Sequence, residues 1–482
     1  MAIVVSGIAC LSDRCPHLPP SLAIAAPWTQ YCGGAAGAAI PPLASKDTFL
    51  VRQVQAFIRH GERMRATPGD CWAGDEDTAF SCTLLGTPVT HAWPPAQPGD
   101  PVNWAVATLR GGMNRTQPKP SYVLPGNCTL GQLTEAGRQM QLRNGASLRA
   151  AYVGPDAAVG PLLPEGYATA ADLSHDVFLR SDDHAGGDRT MLSGMALASA
   201  MLVPEDAPAR PRAPLPWNLF PAHNDTMNPG AACPRYNVEQ GIVLQGKAFQ
   251  SFINSNASKT LLASLPTALW PHAHTRADPS LPFDCGWSHW CPTRDQPALR
   301  DAIPAALLAP GPVPGNGADG VSGSLFDRLN WFMGKLFGFL SDPRLSNDPN
   351  IARYGAGPLM GDVLAAMQAA ADGDKGAKKF VLVSGHDTGP INPVLGALGV
   401  LPSDPYEPPP FAAMIVLELL QAESTGRTLY VRVMYNGNVV QVPWKGVCGP
   451  VGPGGDWLCD WLGFSKRVAA MVPTEAECYA TA

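Results

Sequence analysis

Charged residues are scarce in this chain. Lysine, arginine, aspartate and glutamate together make up 15% of its 482 residues, whereas about a quarter is usual in globular domains. Acidic residues outnumber basic ones by 40 to 34, which gives a formal net charge of −6. Such a chain has no broad basic surface that would attract phosphate backbones, which argues against a nucleic-acid-binding protein. Any anion site must therefore be a small local pocket.

Long apolar runs are also missing. The chain contains no stretch of about 18 or more apolar residues, so we expect no membrane span. The first ten residues form a short apolar run that lacks a basic start and is soon interrupted by Asp13 and Arg14. This is a poor secretory signal. We treat residues 1–45 as a leader or candidate signal region.

Glycine and proline are abundant, at 49 and 50 residues. Together they form about a fifth of the chain, just under the composition typical of low-complexity sequence. Because 45% of the residues are hydrophobic, disorder throughout the chain is not expected. The composition favours a compact fold with many long loops. The length allows two or three structural units, or one large domain with an insertion.

Cysteines and glycosylation sequons both indicate an oxidising compartment. The twelve cysteines include three pairs of near neighbours whose spacing fits short disulfide-closed loops, namely Cys71 and Cys82, Cys285 and Cys291, and Cys448 and Cys459. Four sequons lie in loop-like sequence, at Asn114, Asn127, Asn224 and Asn256. We therefore predict a protein that is secreted or lies in the lumen of the secretory pathway.

Histidines and cysteines between residues 272 and 291 have the residue types of a metal site. The set is His272, His274, Cys285, His289 and Cys291. Its spacing matches no standard zinc pattern, so we interpret it as a disulfide with loop histidines. We predict no metal and no other cofactor.

Strand-like and helix-like segments alternate on both sides of a proline-rich middle region. Strands are predicted at 51–58, 176–181, 379–384 and 411–420. Helices are predicted at 131–152, 190–202, 357–371 and 391–398, the first with Thr134 as its N-cap. A hairpin is expected over 428–443, with its turn at Asn436-Gly437.

This alternation predicts an α/β fold with a three-layer α/β/α core and a mostly parallel sheet. Residues 46–203 and 357–475 are expected to form that core. Residues 204–356 contain amphipathic segments, such as 325–340, between proline-rich linkers. We expect them to form an inserted, mainly helical domain or cap, and we expect loops over 66–128.

A histidine lies between two arginines where the first predicted strand ends, in Arg59-His60-Gly61-Glu62-Arg63. The glycine permits a sharp turn. Phosphoryl transfer requires neutralised phosphate oxygens and an in-line nucleophile. Arginine supplies a permanent charge in a planar fork, and nearby positive charge keeps a histidine neutral. The motif therefore has the parts of an anion site with a nucleophile in its floor. The alternative is a solvated turn with a chance basic cluster.

A second motif, Ser384-Gly385-His386-Asp387-Thr388, follows another apolar strand. His386 can donate to phosphate, and Asp387 can act as a general acid. Carboxyl ends of parallel strands share one edge of a sheet, so His60 and His386 can share one pocket. The alternative is that Asp387 caps the following helix and His386 is a buried polar residue.

A third motif lies between the strand at 176–181 and the helix at 190–202. Arg189 opens that helix and can add positive charge at a helix N-terminus, where phosphate groups bind readily. Asp188 is better suited to orienting an arginine than to acid chemistry.

Together these motifs resemble those of the histidine acid phosphatases. The resemblance covers roughly residues 50–470 and rests on Arg59-His60-Gly61-x-Arg63, Gly131-Gln132-Leu133-Thr134-x-x-Gly137, Asp188-Arg189-Thr190-x-x-Ser193 and His386-Asp387. Within the family, the segments 54–61, 81–84, 392–399, 411–413 with 418–419, and 435–437 most resemble the 2-phosphoxylose phosphatases, which act on a phosphorylated xylose.

The resemblance implies that His60 is a nucleophile that becomes phosphohistidine, and that Asp387 donates the proton to the leaving group. The phosphate-binding set it implies is Arg59, Arg63, Arg189 and His386. The stretch 185–187 looks like an insertion relative to the family pattern, which leaves Arg180 as an alternative to Arg189.

The sequence thus predicts a phosphomonoester hydrolase for a small phosphorylated substrate, such as a phosphosugar. If Asp387 must carry a proton at the start, activity should be best somewhere around pH 4–6. A phytase-like enzyme or a mutase on the same fold is an alternative, and so is an inactive phosphate- or glycan-binding protein. The sequence indicates no oligomeric state.

Overall fold

The fold is built on a large mixed β-sheet. The computed structural model describes residues 30–44, 48–64, 82, 104–108, 124, 126–167, 170–183, 189–203, 215–221, 225–269, 325–402, 406–424 and 426–480. The strands are β1 Phe49–Arg59, β2 Trp104–Thr108, β3 Val177–Asp183, β4 Leu215–Pro221, β5 Phe380–Gly385, β6 Met414–Ala422, β7 Leu429–Tyr435, β8 Asn438–Val439, β9 Cys448–Val451 and β10 Asp456–Asp460.

The strand order in the sheet is β2-β4-β3-β5-β1-β6-β7-β10-β9, and β8 pairs with β7. Neighbouring strands are parallel in the part β2-β4-β3-β5-β1. All other strand pairs are antiparallel. Parallel pairing needs a crossover of about a dozen residues or more. The short link between β6 and β7 therefore dictates a hairpin. The predicted α/β class is confirmed, with the parallel pairing confined to one half of the sheet.

Helices cover both faces of the sheet. Their bounds are α1 Glu135–Tyr152, α2 Ala170–Asp176, α3 Arg189–Leu202, α4 Pro229–Ala232, α5 Arg235–Gln245, α6 Lys247–Ile253, α7 Asn256–Leu269, α8 Leu325–Phe339, α9 Pro343–Ser346, α10 Pro349–Gly355, α11 Gly357–Ala371, α12 Ile391–Leu398, α13 Trp461–Met471 and α14 Glu475–Tyr479. On one face α1 packs against α3, and on the other α11 packs against α13. The result is the predicted α/β/α layering.

The central strand β5 is apolar in its first four residues, 380–383. Phe380 and Leu382 belong to the core on one face, whereas Val381 and Val383 belong to the core on the other. Successive strand residues point to opposite faces, so a strand covered on both sides is apolar at every position. This continuous run made the strand recognisable in the sequence.

The predicted helical region has its own aromatic core. Phe252 on α6 lies against Trp331, Phe332 and Phe339 of α8, with ring centroids 5.6, 5.0 and 5.5 Å apart. These residues form a buried cluster separate from the two cores of the sheet.

Two strands fall where the sequence did not predict them. β4 lies inside 204–356, where mainly helical structure was expected, and β2 lies inside 66–128, where loops were expected. Both pair in parallel with their neighbours. β4 begins and ends in proline-containing sequence, which disguises a strand, and its place in the sheet is fixed by packing. The buried Trp217 on β4 donates to Ser181 Oγ of β3 at 3.0 Å.

Three disulfides join described cysteines: Cys82–Cys128, Cys233–Cys478 and Cys448–Cys459. The last is the short loop predicted from spacing. The pairing of Cys82 with Cys71 is wrong, because the side chain of Asn127 binds the backbone N–H and C=O of Cys82 at 2.7 and 3.2 Å and holds it beside Cys128.

Several predicted features lie outside the described residues: Cys71, the histidine and cysteine set between 272 and 291, Asp188, and the sequons at Asn114 and Asn224. The sequon residues Asn127 and Asn256 are exposed. No helix of the described stretches has both the length and the apolar composition to cross a membrane.

Candidate active site

The strand register brings the two predicted histidine motifs together. β1 and β5 are parallel neighbours, and Arg59 is paired with Gly385 at the carboxyl end of both strands. His60 and His386 are the next residues along each chain segment, and their ring centroids are 5.3 Å apart. Residues more than three hundred positions apart in the sequence therefore meet at one edge of the sheet.

A cleft of about 440 Å³ opens at this edge. All six residues predicted for the site line it, namely Arg59, His60, Arg63, Arg189, His386 and Asp387. The remaining described lining comes mostly from the segment 227–230, from α5 and α8, and from the start of α12. The cleft thus lies between the sheet edge and the helical region.

His60 is held in one tautomer and in its neutral form. Its Nδ1 lies 2.7 Å from the carbonyl oxygen of Gly61. A carbonyl only accepts hydrogen bonds, so Nδ1 carries the proton and Nε2 carries the lone pair. Burial holds the pKa of His60 well below its ordinary value, and the positive charges of Arg189, His386, Arg59 and Arg63 lower it further.

Arg59 forms the buried base of the cleft. Its Nη2 lies 3.0 Å from Asp387 Oδ2, and 2% of its side chain is exposed. Its Nη1 donates to the carbonyl of Pro409, and its guanidinium stacks 4.3 Å above the ring of Phe411. A planar guanidinium held by an ion pair, a carbonyl and a ring has little freedom to reorient. The charge that faces the cleft is therefore fixed before any ligand arrives.

Two glycines allow the loop that carries His60 to rest on the start of α1. A Cβ atom on Gly61 would lie 2.1 Å from the carbonyl oxygen of Gly137, and one on Gly137 would lie 2.2 Å from that of Glu62. Thr134 caps α1 by accepting from the Gly137 N–H at 3.0 Å, and its hydroxyl donates to Glu62 Oε1 at 2.9 Å. The Arg59–Arg63 motif and the Gly131–Gly137 motif are thus two sides of one contact.

The structure separates the two arginines that the sequence left as alternatives. Arg189, at the start of α3, lines the cleft and contributes to lowering the pKa of His60. Arg180, on β3, forms ion pairs with Asp225 and Asp362 instead. Only Arg189 of the two is therefore placed to meet a ligand in the cleft.

Asp182 is a site residue that the sequence analysis did not select. Its Oδ2 accepts a hydrogen bond from His386 Nε2 at 2.9 Å, and it lines the cleft. The bond fixes the orientation of the His386 ring. The position of Asp182 at the end of β3, beside the third motif, was the available signal. Nothing in the sequence indicated its partner, because β3 and β5 become neighbours only in the folded sheet.

A family model matches this arrangement over most of the chain. Residues 50–436 match the model described as "Histidine phosphatase superfamily (branch 2)". The chain belongs to this superfamily. The membership confirms the predicted family and the predicted class of phosphomonoester hydrolase.

This histidine phosphatase is similar to several known proteins. It is 22% identical over 400 residues to counting factor 60 of Dictyostelium discoideum, and the matched region covers 82% of each chain. It is 25% identical over 398 residues to 2-phosphoxylose phosphatase 1 of Homo sapiens, and the matched region covers 81% of this chain and 71% of that protein. A solved structure that resembles it is the multiple inositol polyphosphate phosphatase of Bifidobacterium longum with inositol hexasulfate, at 13% identity and a TM-score of 0.48, covering 92% of this chain and 99% of that one.

The cleft of this histidine phosphatase has two chemically different parts. Its charged side chains and histidines surround His60, whereas the other described lining residues are uncharged. The uncharged part includes Asn228, Tyr236, Asn237, Gln240 and Phe337. These side chains give this part a neutral polar and aromatic lining, in which Tyr236 Oη donates to the carbonyl of Leu340 and Asn237 Nδ2 to that of Gly230. Sequence reasoning missed this part, because residues from separate helices meet there.

Proposed function

We propose that this phosphatase hydrolyses phosphomonoesters in two steps through a phosphohistidine at His60. The observation that supports this most strongly is the neutral His60 with its proton held on Nδ1 by the Gly61 carbonyl. This leaves the Nε2 lone pair as the nucleophile at the centre of the cationic part of the cleft. Arg59, Arg63, Arg189 and His386 would bind the phosphate oxygens.

In the first step, His60 Nε2 forms a bond to phosphorus while the bond from phosphorus to the ester oxygen breaks. Asp387 gives a proton to that oxygen, so the leaving group departs as a neutral alcohol. In the second step a water attacks phosphorus, the bond from phosphorus to His60 Nε2 breaks, Asp387 takes the proton of this water, and inorganic phosphate is released. The arginines compensate the negative charge of the phosphate oxygens throughout.

The ion pair between Arg59 and Asp387 suggests how binding prepares the acid. The two groups lie 3.0 Å apart before a substrate enters. A phosphate oxygen that binds Arg59 competes with the Asp387 carboxylate for the same guanidinium. We propose that this competition turns Asp387 towards the leaving oxygen, where it can donate its proton.

For the substrate, we propose a phosphosugar or a similar monophosphate on a neutral polyol. The uncharged part of the cleft supports this choice, because its amide groups and rings suit hydroxyls and sugar faces. An inositol polyphosphate would bring additional phosphates, which need further positive charges. The 25% identity to 2-phosphoxylose phosphatase 1 supports the same choice. The alternatives are phytase-like hydrolysis and phosphate transfer by a mutase.

We also propose a location in the secretory pathway or outside the cell. Three disulfides between described cysteines support it, because disulfides persist in oxidising compartments. Mass spectrometry of the non-reduced protein from its native source would test it. Free thiols at Cys82, Cys128, Cys233 and Cys478 would contradict it.

The mechanism can be tested with His60→Ala and a generic phosphate monoester. We expect a loss of activity of at least about a thousandfold, since the nucleophile is removed. Rapid quenching in alkali should trap a phosphoenzyme in the parent and none in the variant, and the trapped phosphate should be lost when the sample is acidified. Parent-level activity in His60→Ala would refute the phosphohistidine mechanism.

Product analysis separates the competing substrates and reactions. A xylose 2-phosphate ester and inositol hexakisphosphate would be compared at equal concentration, with inorganic phosphate as the measured product. We expect a higher kcat/KM for the phosphosugar. Preference for the polyphosphate would favour the phytase-like function, and phosphate transfer without release would favour a mutase. Binding without turnover would indicate an inactive binding protein.

A further inference from the structure

Beside the cleft lies a buried ion cluster that the proposed mechanism does not use. Arg180 Nη2 lies 2.6 Å from Asp225 Oδ1 and 3.0 Å from Thr226 Oγ1, and its Nη1 lies 3.2 Å from Asp362 Oδ2. Thr226 Oγ1 also donates to Asp362 Oδ2 at 2.7 Å. Arg180, Asp225 and Thr226 are all buried. We name these four residues the Arg180 cluster.

The Arg180 cluster holds one wall of the cleft. Asp225 Oδ1, which binds Arg180, also accepts from the backbone N–H of Met227 at 2.9 Å. The carbonyl of Asp225 accepts from the N–H of Asn228 at 2.8 Å. These two bonds anchor the start of the segment 227–230, and all four of its residues line the cleft. The backbone of this wall is therefore tied to Arg180 of β3 through the Asp225 carboxylate and the Thr226 hydroxyl.

The wall in turn touches the loop that carries His386 and Asp387. A Cβ atom on Gly389 would lie 1.9 Å from the carbonyl oxygen of Met227, so the two backbones are in direct contact. The carbonyl of Gly389 accepts from the N–H of His386 at 2.6 Å. Packed backbone segments of this kind transmit small displacements, since a close-packed interior has no space to absorb them.

The charges around Asp225 make its bond to Arg180 sensitive to protonation. Burial raises the pKa of Asp225 to about 6, against the lowering effect of Arg180 and the Met227 N–H. The carboxylates of Asp182 and Asp362 face the same group and raise the pKa further. Arg180 itself is stacked 4.1 Å from the ring of Phe220, which leaves its guanidinium fixed.

We propose that Arg180 and Asp225 are positioning residues, which set the wall 227–230 against the loop of His386 and Asp387 and thereby determine substrate affinity in the cleft. This inference rests on the proposed hydrolase function. It assigns Arg180 a role in shaping the cleft instead of the phosphate contact considered from the sequence.

The test is the substitution Asp225→Asn, which keeps the side-chain shape and removes its charge. We expect KM for a phosphate monoester to rise about tenfold with kcat within about threefold, because His60 and the cleft arginines lie on other elements and Arg59 still holds Asp387. Parent values of KM in the folded variant would overturn the proposal.

The matched control is Glu418→Gln, which removes the carboxylate of another buried ion pair. Glu418 binds Arg432 Nε at 2.5 Å within the sheet, and neither residue lines the cleft. We expect a comparable loss of stability with an unchanged KM. An equal rise of KM in both variants would show a general effect of destabilisation and would refute positioning. Should Asp225→Asn not fold, Thr226→Val removes two bonds of the cluster without removing a charge, and a KM rise of about threefold is expected.

A pH series provides a second readout. Protonation of Asp225 below about pH 6 weakens its bond to Arg180 in the parent, whereas asparagine does not titrate. The ratio of KM in Asp225→Asn to KM in the parent should therefore be largest above about pH 7 and approach one below about pH 5. Taking the ratio cancels the ionisation of the substrate. A ratio that stays constant over this range would contradict the inference.

Hydrogen exchange tests the positioning independently of activity. Peptides that span 225–233 and 386–391 should exchange faster in Asp225→Asn than in the parent or in Glu418→Gln. If the parent hydrolyses no monoester, the proposed function fails while this measurement still tests the wall. Unchanged exchange in both peptides would overturn the positioning role even in an active enzyme.

Discussion

The contact between Gly61 and Gly137 provides a sharp test of how the cleft is assembled. Gly61→Ala would place a Cβ atom 2.1 Å from the Gly137 carbonyl oxygen, 2.6 Å from its carbonyl carbon and 2.7 Å from its Cα. Ordinary contacts of a Cβ atom are 3.4–4 Å long. All three neighbours are backbone atoms, so no flexible side chain can move aside. The loop and the start of α1 must separate by about 1 Å.

This separation has two expected costs. Forcing extra volume into a packed interface destabilises a protein by about 1–3 kcal/mol. The carbonyl of Gly61 also holds Nδ1 of His60, so the proposed nucleophile moves with the loop. A displacement of about 1 Å at a reacting centre reduces the rate about a hundredfold. We therefore expect kcat/KM to fall about a hundredfold and the free energy of unfolding to fall by about 2 kcal/mol.

The assay combines steady-state kinetics on a phosphate monoester with chemical denaturation. Gly241→Ala on α5 is the matched control, because a Cβ atom at this position has no neighbour within 4 Å. In a helix this change should be neutral or stabilising by about 0.5–1 kcal/mol. Parent-level kcat/KM and stability in Gly61→Ala would refute the argument that backbone contact fixes the loop. A loss confined to stability would show that His60 does not depend on this contact.

Three further predictions concern His60, Asp182 and the disulfides. Because burial and positive neighbours lower the pKa of His60, this histidine stays neutral as the pH falls through about 6.5. The rate of phosphoenzyme formation, measured in a single turnover at saturating substrate, should therefore not fall between about pH 7 and pH 6. A loss there would contradict a neutral nucleophile. Asp182→Asn removes the charged partner of His386 Nε2 and should lower kcat/KM about tenfold, measured with the same ester; an unchanged value would contradict a role for this bond. Replacing Cys233 and Cys478 by serine should cost about 5 kcal/mol of unfolding free energy, against about 3 for the Cys448–Cys459 pair, because the first closes 245 residues and the second 11. Denaturant titration of both double variants checks this order, and the reverse order would contradict a chain-entropy origin.

Local sequence patterns were sufficient for the elements that carry the site. The buried strand β5 is apolar from Phe380 to Val383 because helices cover both faces of the sheet, and Thr134 caps α1 as predicted. The hairpin turn at Asn436-Gly437 also follows its prediction, with both residues at positive φ. These features depend on near neighbours in the chain, so the sequence shows them directly.

The strands β2 and β4 show where such patterns fail. Their short, proline-containing or loop-like sequences have little strand signal, and the partners that stabilise them lie far away in the chain. Cys82 is a similar case, since Asn127 brings it to Cys128 and not to the nearer Cys71. Pairings over long sequence distances are decided by packing, which spacing alone does not encode.

The sequence by itself determined the chemistry of this protein: a histidine between arginines, a second histidine beside an aspartate, and the strands that end at each. Only the tertiary structure decided the geometry. The register of β1 on β5 places His60 beside His386, and the fold puts Arg189 in the cleft while committing Arg180 to Asp225. The physical reason is that residue types are local properties, whereas burial, ion pairing and the pKa of His60 arise from neighbours that folding brings together.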